Sequence, residues 1–273
     1  MSLLDEPTAT HDTRSTWRDA PIDLGDLTTV ECALVLAGPH PVVIVPIGST
    51  EPHGPHLPLA TDALLALESA RRAARALREQ NLAAVAAPPI PYGVTRYAAG
   101  FAGAISLSPG LVEQLLFELC VAYRAAGFCL VCVVNHHLEP ENVSAIARSV
   151  AGANGEVGRV VFANQLTPRW GRTLSAEFKR GNCHGGSYET SLLLAGSASL
   201  VHEDVRTTLP SVPISLSTAI RAGQRTFHEM GIDRAYTGSP AEATVAEGDA
   251  LYEQLTTMVV SEVTEALGLA KRP

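Results

Sequence analysis

Short apolar runs alternate with longer amphipathic segments along most of the chain. The runs PVVIVPIG (41–48) and FCLVCVVN (128–135) are apolar at consecutive positions and rich in β-branched residues, which predicts strands buried on both faces. AAVAAPPI (83–90) and GRVVFAN (158–164) predict two further strands. Amphipathic segments with helical periodicity predict helices over 62–80, 108–128, 139–155 and from about Glu242 to Leu267.

The second of these helices has clear end signals. Ser108 is a favourable N-cap residue, Pro109 suits the first turn, and Gly127 follows the last turn. Because buried strands alternate with helices, the pattern predicts an α/β fold with a mostly parallel sheet and helices on both of its faces. Two stretches, 165–182 and 210–217, have no regular pattern and are interpreted as either lids or oligomer contacts.

Length and composition restrict the domain organisation. The chain has 273 residues, of which 46% are hydrophobic and 18% charged, and this suits one large globular α/β domain. Residues 1–16 are polar and lack the basic-then-apolar order of a signal peptide, so we predict a flexible N-terminal tail before a single domain over 17–273. Because no long apolar run occurs, no membrane span is expected, and the protein is predicted to be cytoplasmic.

Charge and cysteine content bear on two further classes of function. The net charge is −8 at pH 7 and no run of Lys or Arg occurs, so nucleic acid is not an expected partner. Cys129 and Cys132 form a C-x-x-C pair, which is compatible with a redox or zinc site. Both lie in the apolar run 128–135, so small buried thiols in a reduced compartment are the preferred interpretation.

The candidate chemistry starts directly after the first predicted strand, in GSTEPHGPHLPLATD (48–62). Glu51 and His53 are two residues apart, and in an extended segment such residues point to the same side. Glycines and prolines around them indicate a stiff loop, which suits a metal site because ligands must be held to within about 0.5 Å. Asp62 opens the following helix, from which its carboxylate can turn back toward the site.

A second pair follows the other long buried strand, in NHHLEPEN (135–142). His137 and Glu139 repeat the two-residue spacing, although Glu141 is an alternative acid for the same role. Both clusters come after the carboxyl ends of buried strands, where open α/β sheets bind their ligands. We therefore expect the two loops to converge on one site.

Two carboxylate–imidazole pairs and one further carboxylate supply five candidate ligands, namely Glu51, His53, Asp62, His137 and Glu139. Imidazole and carboxylate together suit Zn²⁺, Mn²⁺ or Fe²⁺. Five ligands exceed what one catalytic zinc with open positions takes, and they fit two ions that share a carboxylate. We predict two divalent metal ions per chain, with zinc as the first choice and manganese or iron as alternatives.

A third cluster lies in NCHGGSYETS (182–191). His184 is followed by two glycines, which leave room for a substrate beside the imidazole. A histidine in such a loop can act as a general acid or base near neutral pH. Glu189 follows at the start of an apolar helix.

The first motif resembles the signature of the creatininase family, whose usual form is close to G-S-T-E-Q-H-G-P-H-L-P-L-x-T-D, with Pro52 as the noticeable departure. The order of the other two clusters is also similar to that family, and the resemblance covers roughly residues 25–195. It implies a three-layer α/β/α sandwich, a binuclear metal centre and hydrolysis of cyclic or linear amides. It also implies a homo-oligomer, with a hexamer expected.

The resemblance further implies a role for each candidate residue. One ion would be bound by Glu51, Asp62 and His137. The other would be bound by His53, Asp62 and Glu139, so that Asp62 bridges the two. The catalytic residues would be His184, which transfers a proton, and Glu189, which supports it.

Several positions depart from the family pattern and bear on the substrate. His136 stands where a Gly is usual, and Leu138 stands where creatininase itself has a Tyr that lines the substrate pocket. Tyr97 stands where family members often have a His, and Arg180 and Gly181 lie near the place of an aromatic–acid pair. These differences argue against creatinine as the substrate.

Together, these observations predict a metal-dependent amidohydrolase that acts on a small-molecule substrate. It would cleave a C–N bond of a cyclic amide, a linear amide or a formylamide with a metal-bound hydroxide. One alternative is a peptidase that trims a modified peptide on the same metal centre. Another is a non-catalytic metal-binding scaffold protein.

Overall fold

The computed structural model describes residues 16–269 of the chain. Apart from Thr16, the predicted tail lies outside the described residues, and the single domain over 17–273 stays a prediction. The strands of the described part are β1 (Val42–Ile47), β2 (Ala84–Ala86), β3 (Leu130–Asn135) and β4 (Val160–Ala163). Its α-helices are α1 (Thr29–Ala37), α2 (Thr61–Glu79), α3 (Pro109–Ala125), α4 (Pro140–Val157), α5 (Pro168–Gly171), α6 (Ala176–Arg180), α7 (Ser187–Ser197), α8 (Glu203–Arg206), α9 (Leu216–Arg221) and α10 (Val245–Ala266).

The strands form one parallel sheet in the order β2-β1-β3-β4. In the central pair, Val42 of β1 lies opposite Leu130 of β3, and Ile47 lies opposite Asn135. The carboxyl ends of β1 and β3 are therefore level, and the loops that follow them leave the sheet side by side. This register brings the first two candidate clusters to one end of the sheet, where parallel sheets bind ligands.

Both faces of the sheet are covered by helices. Alternate residues of a strand point to opposite faces. Val42 and Ile44 belong to a hydrophobic core that includes residues of α2, α7 and α10. Val43 and Val45 belong to a second core, which includes residues of α1, α3 and α4. The predicted three-layer α/β/α sandwich around a parallel sheet is confirmed.

The predicted elements are confirmed with shifts at their ends. The side chain of Ser108 accepts a hydrogen bond from the N–H of Leu111 at the start of α3, and Gly127 follows the helix with φ of +111°. The segment 83–90 forms a strand over three residues only, because prolines such as Pro88 cannot donate to a sheet. The last helix begins at 245 rather than 242, and the side chain of Thr244 caps its N-terminus.

Helix α1 was not predicted from the sequence. It begins with a capping box, in which the hydroxyl of Thr28 accepts from the N–H of Glu31 and the Glu31 carboxylate accepts from the N–H of Thr28. No helix within residues 16–269 combines the length and the apolar character needed to cross a bilayer. Cys132 is fully buried in β3, and burial raises the pKa of its thiol.

Helices α7 and α10 approach closely at Gly248, and this contact leads to a stability prediction. A Cβ at this position would lie 1.9 Å from the carbonyl oxygen of Ser191. We expect Gly248→Ala to lower the free energy of unfolding by about 1–3 kcal/mol, because the two helices must move apart. Urea unfolding followed by circular dichroism measures the change.

The matched control for this substitution is Gly155→Ala in α4. A Cβ at position 155 has no atom within 4 Å, and alanine is the better helix former, so a gain of about 0.5–1 kcal/mol is expected. Equal unfolding midpoints for the two variants would contradict the close approach of α7 and α10.

Candidate metal centre

The loops at the carboxyl end of the sheet bring the five predicted ligands together, and all five are buried. Glu51 and His53 come from the loop after β1, and Asp62 comes from the first turn of α2. His137 and Glu139 come from the loop after β3. Two segments that are distant in sequence therefore supply one cluster, as the motif positions predict.

The loop after β1 is held tightly against α2. The N–H of Glu51 donates to the carbonyl of Leu59 over 3.0 Å, which closes the loop on itself. A Cβ at Gly48 would lie 2.4 Å from the backbone nitrogen of Ala63, so only glycine allows α2 to start this close to the end of β1. This close approach places Asp62 beside His53.

The first ligand set consists of Glu51, Asp62 and His137. Nδ1 of His137 lies 2.9 Å from Oε1 of Glu51 and 3.1 Å from Oδ2 of Asp62. Within residues 16–269, however, neither His137 Nδ1 nor Asp62 Oδ2 has a partner in hydrogen-bond geometry. Buried polar atoms without partners cost about 1–3 kcal/mol each, so this arrangement suits a bound cation.

The second ligand set consists of His53, Asp62 and Glu189. Nε2 of His53 lies 3.0 Å from Oδ1 of Asp62 and 3.5 Å from Oε2 of Glu189. Asp62 belongs to both sets, which is the arrangement that a bridging carboxylate needs. The resemblance implies Glu139 in this set. In the structure the ligand atoms of His53, Asp62 and Glu189 lie within 4.8 Å of one another, and the role of Glu139 stays a prediction.

Glu139 borders the two ligand sets. Its Oε2 accepts hydrogen bonds from the backbone N–H groups of Arg96 and Tyr97, and it lies 3.9 Å from Nε2 of His137. Its Oε1 is buried and has no hydrogen-bond partner among the described residues. The alternative acid, Glu141, lies at the surface and pairs with Arg96 over 2.7 Å. The structure therefore brings Glu139, and not Glu141, to the site.

Each of three histidines at the site shares a hydrogen bond with a backbone carbonyl, namely His53 Nδ1 with Glu51 (3.1 Å), His137 Nε2 with Val94 (2.6 Å) and His184 Nε2 with Pro52 (3.0 Å). A carbonyl oxygen only accepts hydrogen bonds, so each of these nitrogens carries the proton. When such a ring is neutral, its other nitrogen faces the carboxylates with its lone pair. Hydrogen bonds of this kind orient histidines that bind metals.

Charge in the cluster is unbalanced without a cation. Within residues 16–269, the ion-pair partners of its carboxylates are histidines only. Burial lowers the pKa of His53, but Asp62 and other nearby carboxylates outweigh it and raise the pKa to about 10. Burial raises the pKa of Glu139 to about 7 and that of Glu189 to about 8. In place of these protons, divalent cations could neutralise the carboxylates.

His184 faces the same cluster from a third loop. Its Nδ1 lies 3.9 Å from Oε1 of Glu51, and its ring packs between His53 and Phe227, with ring centroids 4.4 Å and 4.8 Å away. Burial, followed by the charge on His53, lowers the pKa of His184 to about 4. Glu189 supports this loop, because its Oε2 accepts from the N–H of Gly185 over 2.7 Å.

Two further histidines hold loops in place. Nε2 of His56 lies 2.9 Å from the hydroxyl of Thr190, which connects the loop after β1 to α7. Nε2 of His136 lies 2.9 Å from the hydroxyl of Ser69, which connects the end of β3 to α2. Burial lowers the pKa of both imidazoles to about 4, so both are neutral near pH 7.

A cavity of about 640 Å³ opens onto the cluster. Its walls include the apolar side chains of Leu138, Leu166, Phe178, Leu216, Ile220 and Phe227. Both stretches without a regular sequence pattern contribute to these walls, through α5, α6 and the start of α9. Sequence reasoning missed Phe227, since no periodicity or motif marks the segment in which it lies.

Comparison with known sequences identifies the family. A sequence model of the creatininase family, described as creatinine amidohydrolase, matches residues 26–263. The chain belongs to the creatininase family. The match extends the resemblance beyond residues 25–195 in the C-terminal direction.

Curated relatives of this creatininase-family chain are similar over most of their length. The mycofactocin precursor peptide peptidase of Mycolicibacterium smegmatis is 33% identical over 218 residues, which are 79% of this chain and 81% of the relative. The protein of the same name from Mycobacterium tuberculosis (strain ATCC 25618 / H37Rv) is 30% identical over 256 residues, which are 88% and 90% of the two chains. Among solved structures, one described as creatininase Mn has a TM-score of 0.68 at 22% identity and covers 89% of this chain and 98% of its own.

Two departures from the creatininase-family pattern lie in the wall of the cavity. Leu138 and Tyr97 both line it. Leu138 presents an isobutyl group and Tyr97 presents a phenol at this wall.

Proposed function

We propose that this chain is a metal-dependent hydrolase that cleaves an amide bond in a peptide or peptide-derived substrate. The observation that carries the proposal is the large, mainly apolar cavity that opens directly onto the buried cluster. Cavities of roughly 300–1,000 Å³ accommodate ligands much larger than a single small ring. The names of the curated relatives, which act on a precursor peptide, support the same choice. Hydrolysis of a small-molecule amide is the second candidate.

The residues at the site fit two divalent cations. Glu51, Asp62 and His137 would hold one, and His53 and Asp62 would hold the other together with Glu189 or the free oxygen of Glu139. When bound, the ions would polarise an amide carbonyl and lower the pKa of a water molecule. Zinc remains the first choice, with manganese or iron as alternatives.

His184 would carry the proton that the reaction has to move. Its neutral ring directs Nδ1 toward the cluster, so it can accept a proton from the attacking water. It would then deliver that proton to the amide nitrogen as the C–N bond breaks, which releases an amine and a carboxylic acid. Glu189 would keep the loop of His184 in position through the N–H of Gly185.

Removal of the metal tests the proposal. The protein loaded with zinc or manganese is expected to cleave short peptides with apolar residues near the scissile bond. Treatment with a chelator should abolish this activity, and return of the ion should restore it. Unchanged cleavage after complete metal removal would contradict the proposal, and metal-dependent cleavage of small lactams or formylamides without cleavage of peptides would favour the second candidate.

The homo-oligomer, expected to be a hexamer, stays a prediction. Leu111 and Leu115 lie one turn apart on α3 and are 52% and 40% exposed. Exposed apolar side chains of this kind are compatible with contacts between copies of the chain.

A further inference from the structure

Two basic side chains border the cavity outside the metal-binding residues. Arg172 follows the last residue of α5, and Lys179 lies in α6. Both are exposed, and both line the cavity. Among the described residues that line the cavity, Arg172 and Lys179 are the charged side chains outside the carboxylates and histidines of the candidate metal centre. They give one wall of a mainly apolar cavity a positive charge.

Neither of these side chains is neutralised by an acid within residues 16–269. By contrast, Arg169 in the same region pairs with Glu265. Nε of Arg172 donates to the carbonyl of Pro168 over 2.5 Å, which fixes one edge of the guanidinium. Its two terminal nitrogens have no hydrogen-bond partner in the described structure, and the ammonium of Lys179 has none either. Both cations are therefore available to a ligand.

The charges of the cavity favour one direction for a bound substrate. At the end where the amide is cleaved, the carboxylates of the candidate metal centre and the two divalent cations would neutralise one another, so the uncompensated charge of the cavity lies elsewhere. The guanidinium and ammonium groups attract a negative group at the wall formed by α5 and α6. A planar guanidinium also matches a carboxylate in shape, and hydrogen bonds between the two ions are stronger than those between neutral groups. A substrate with an anionic end and an apolar body fits both features.

The geometry points to Arg172 and Lys179 as the binding site for the terminal carboxylate of a peptide, so that the scissile amide lies near a free C-terminus. This inference rests on the proposed function and specifies its substrate class. The apolar side chains of the cavity wall, among them Phe178, would hold the side chain of the C-terminal residue. An internal peptide segment would leave both cations without a partner.

A pair of matched peptides tests this inference. Both have the same sequence with an apolar C-terminal residue. One peptide ends in a free carboxylate, and the other ends in a carboxamide. For the metal-loaded wild type, kcat/KM is expected to be roughly 10-fold or more higher for the acid, as a hydrogen-bonded ion pair contributes enough to binding for such a difference. In a variant with both Arg172→Ala and Lys179→Ala, this preference should vanish. The KM for the peptide with the free carboxylate should rise, and the KM for the peptide with the carboxamide should stay the same.

Arg180→Ala is the matched control, because Arg180 is an exposed basic neighbour that does not line the cavity. It should retain the preference, and all variants should retain their metal. Equal kcat/KM of the wild type for both peptides would overturn the carboxylate site and leave the proposed peptidase standing. A preference that survives in the double variant would overturn the assignment to these two residues, and cleavage of neither peptide by the loaded enzyme would overturn the proposed function as well.

Discussion

Replacement of Asp62 by Asn is expected to remove most of the bound metal together with the activity. Asp62 is the residue that both ligand sets share, with Oδ1 at 3.0 Å from His53 and Oδ2 at 3.1 Å from His137. Asparagine has nearly the same shape, but it is neutral, and one of its two terminal atoms is an NH₂ group that cannot bind a cation. Loss of a residue that merely orients a metal ligand costs about 10–100-fold in affinity or activity, so loss of a bridging ligand should cost at least 100-fold.

Elemental analysis of the purified protein measures this outcome directly. The wild type should hold about two equivalents of divalent metal per chain, and Asp62→Asn should hold much less even after incubation with excess ion. Glu141→Gln is the control, because Glu141 pairs with Arg96 at the surface and should be dispensable for metal and activity. Full metal content in Asp62→Asn would contradict its bridging position. No metal uptake by the wild type would remove the hydrolase proposal altogether.

The clustering of the candidate metal ligands could be predicted from the sequence because these residues are close together along the chain. Glu51 and His53 share one side of an extended loop, and His137 and Glu139 repeat that spacing after another strand. Each pair follows a recognisable buried strand, and carboxyl ends of parallel neighbours meet at one end of a sheet. What the sequence does not contain is the distance between the pairs, which depends on the level register of β1 and β3.

The role of Glu189 illustrates that limit. Its position in a motif marks it as important, but its distance from His53 depends on where α7 begins relative to the loop after β1. The structure brings the two side chains within 3.5 Å, and the same carboxylate also holds Gly185. A choice between Glu139 and Glu189 as the third member of the second set requires three-dimensional distances, because the two-residue spacing that pointed to Glu139 does not bear on an acid in another loop.

The substrate side of the cavity could not be predicted. Phe227 reaches His184 because its backbone N–H donates to the carbonyl of Tyr97 over 2.7 Å, a contact between residues 130 positions apart. The backbone N–H of Thr237 in turn donates to the carbonyl of His184. Such long-range contacts create the cavity wall from segments without periodicity, so neither the wall nor Arg172 and Lys179 within it could be recognised beforehand.

Removal of the His184 imidazole is expected to leave the metal in place and to lower kcat by roughly 100- to 10,000-fold, the usual contribution of a general acid or base. The two ligand sets that share Asp62 do not contain His184. Its ring is fixed on three sides by the carbonyl of Pro52 and by the rings of His53 and Phe227, so that one nitrogen faces the cluster. The methyl group in His184→Ala can neither accept nor donate a proton, and KM should change little.

Metal content and turnover have to be measured on the same sample, because His184 also lies within 4.8 Å of Glu51 and His53 in a third possible ligand set. If His184→Ala loses metal as well as turnover, His184 is a ligand, and proton transfer belongs to another group. If both are unchanged, it has neither role. The control His202→Ala removes an exposed imidazole at the N-terminus of α8 and should retain metal and full turnover. A loss of turnover with metal retained, seen at position 184 and not at 202, therefore assigns the proton-transferring role to His184.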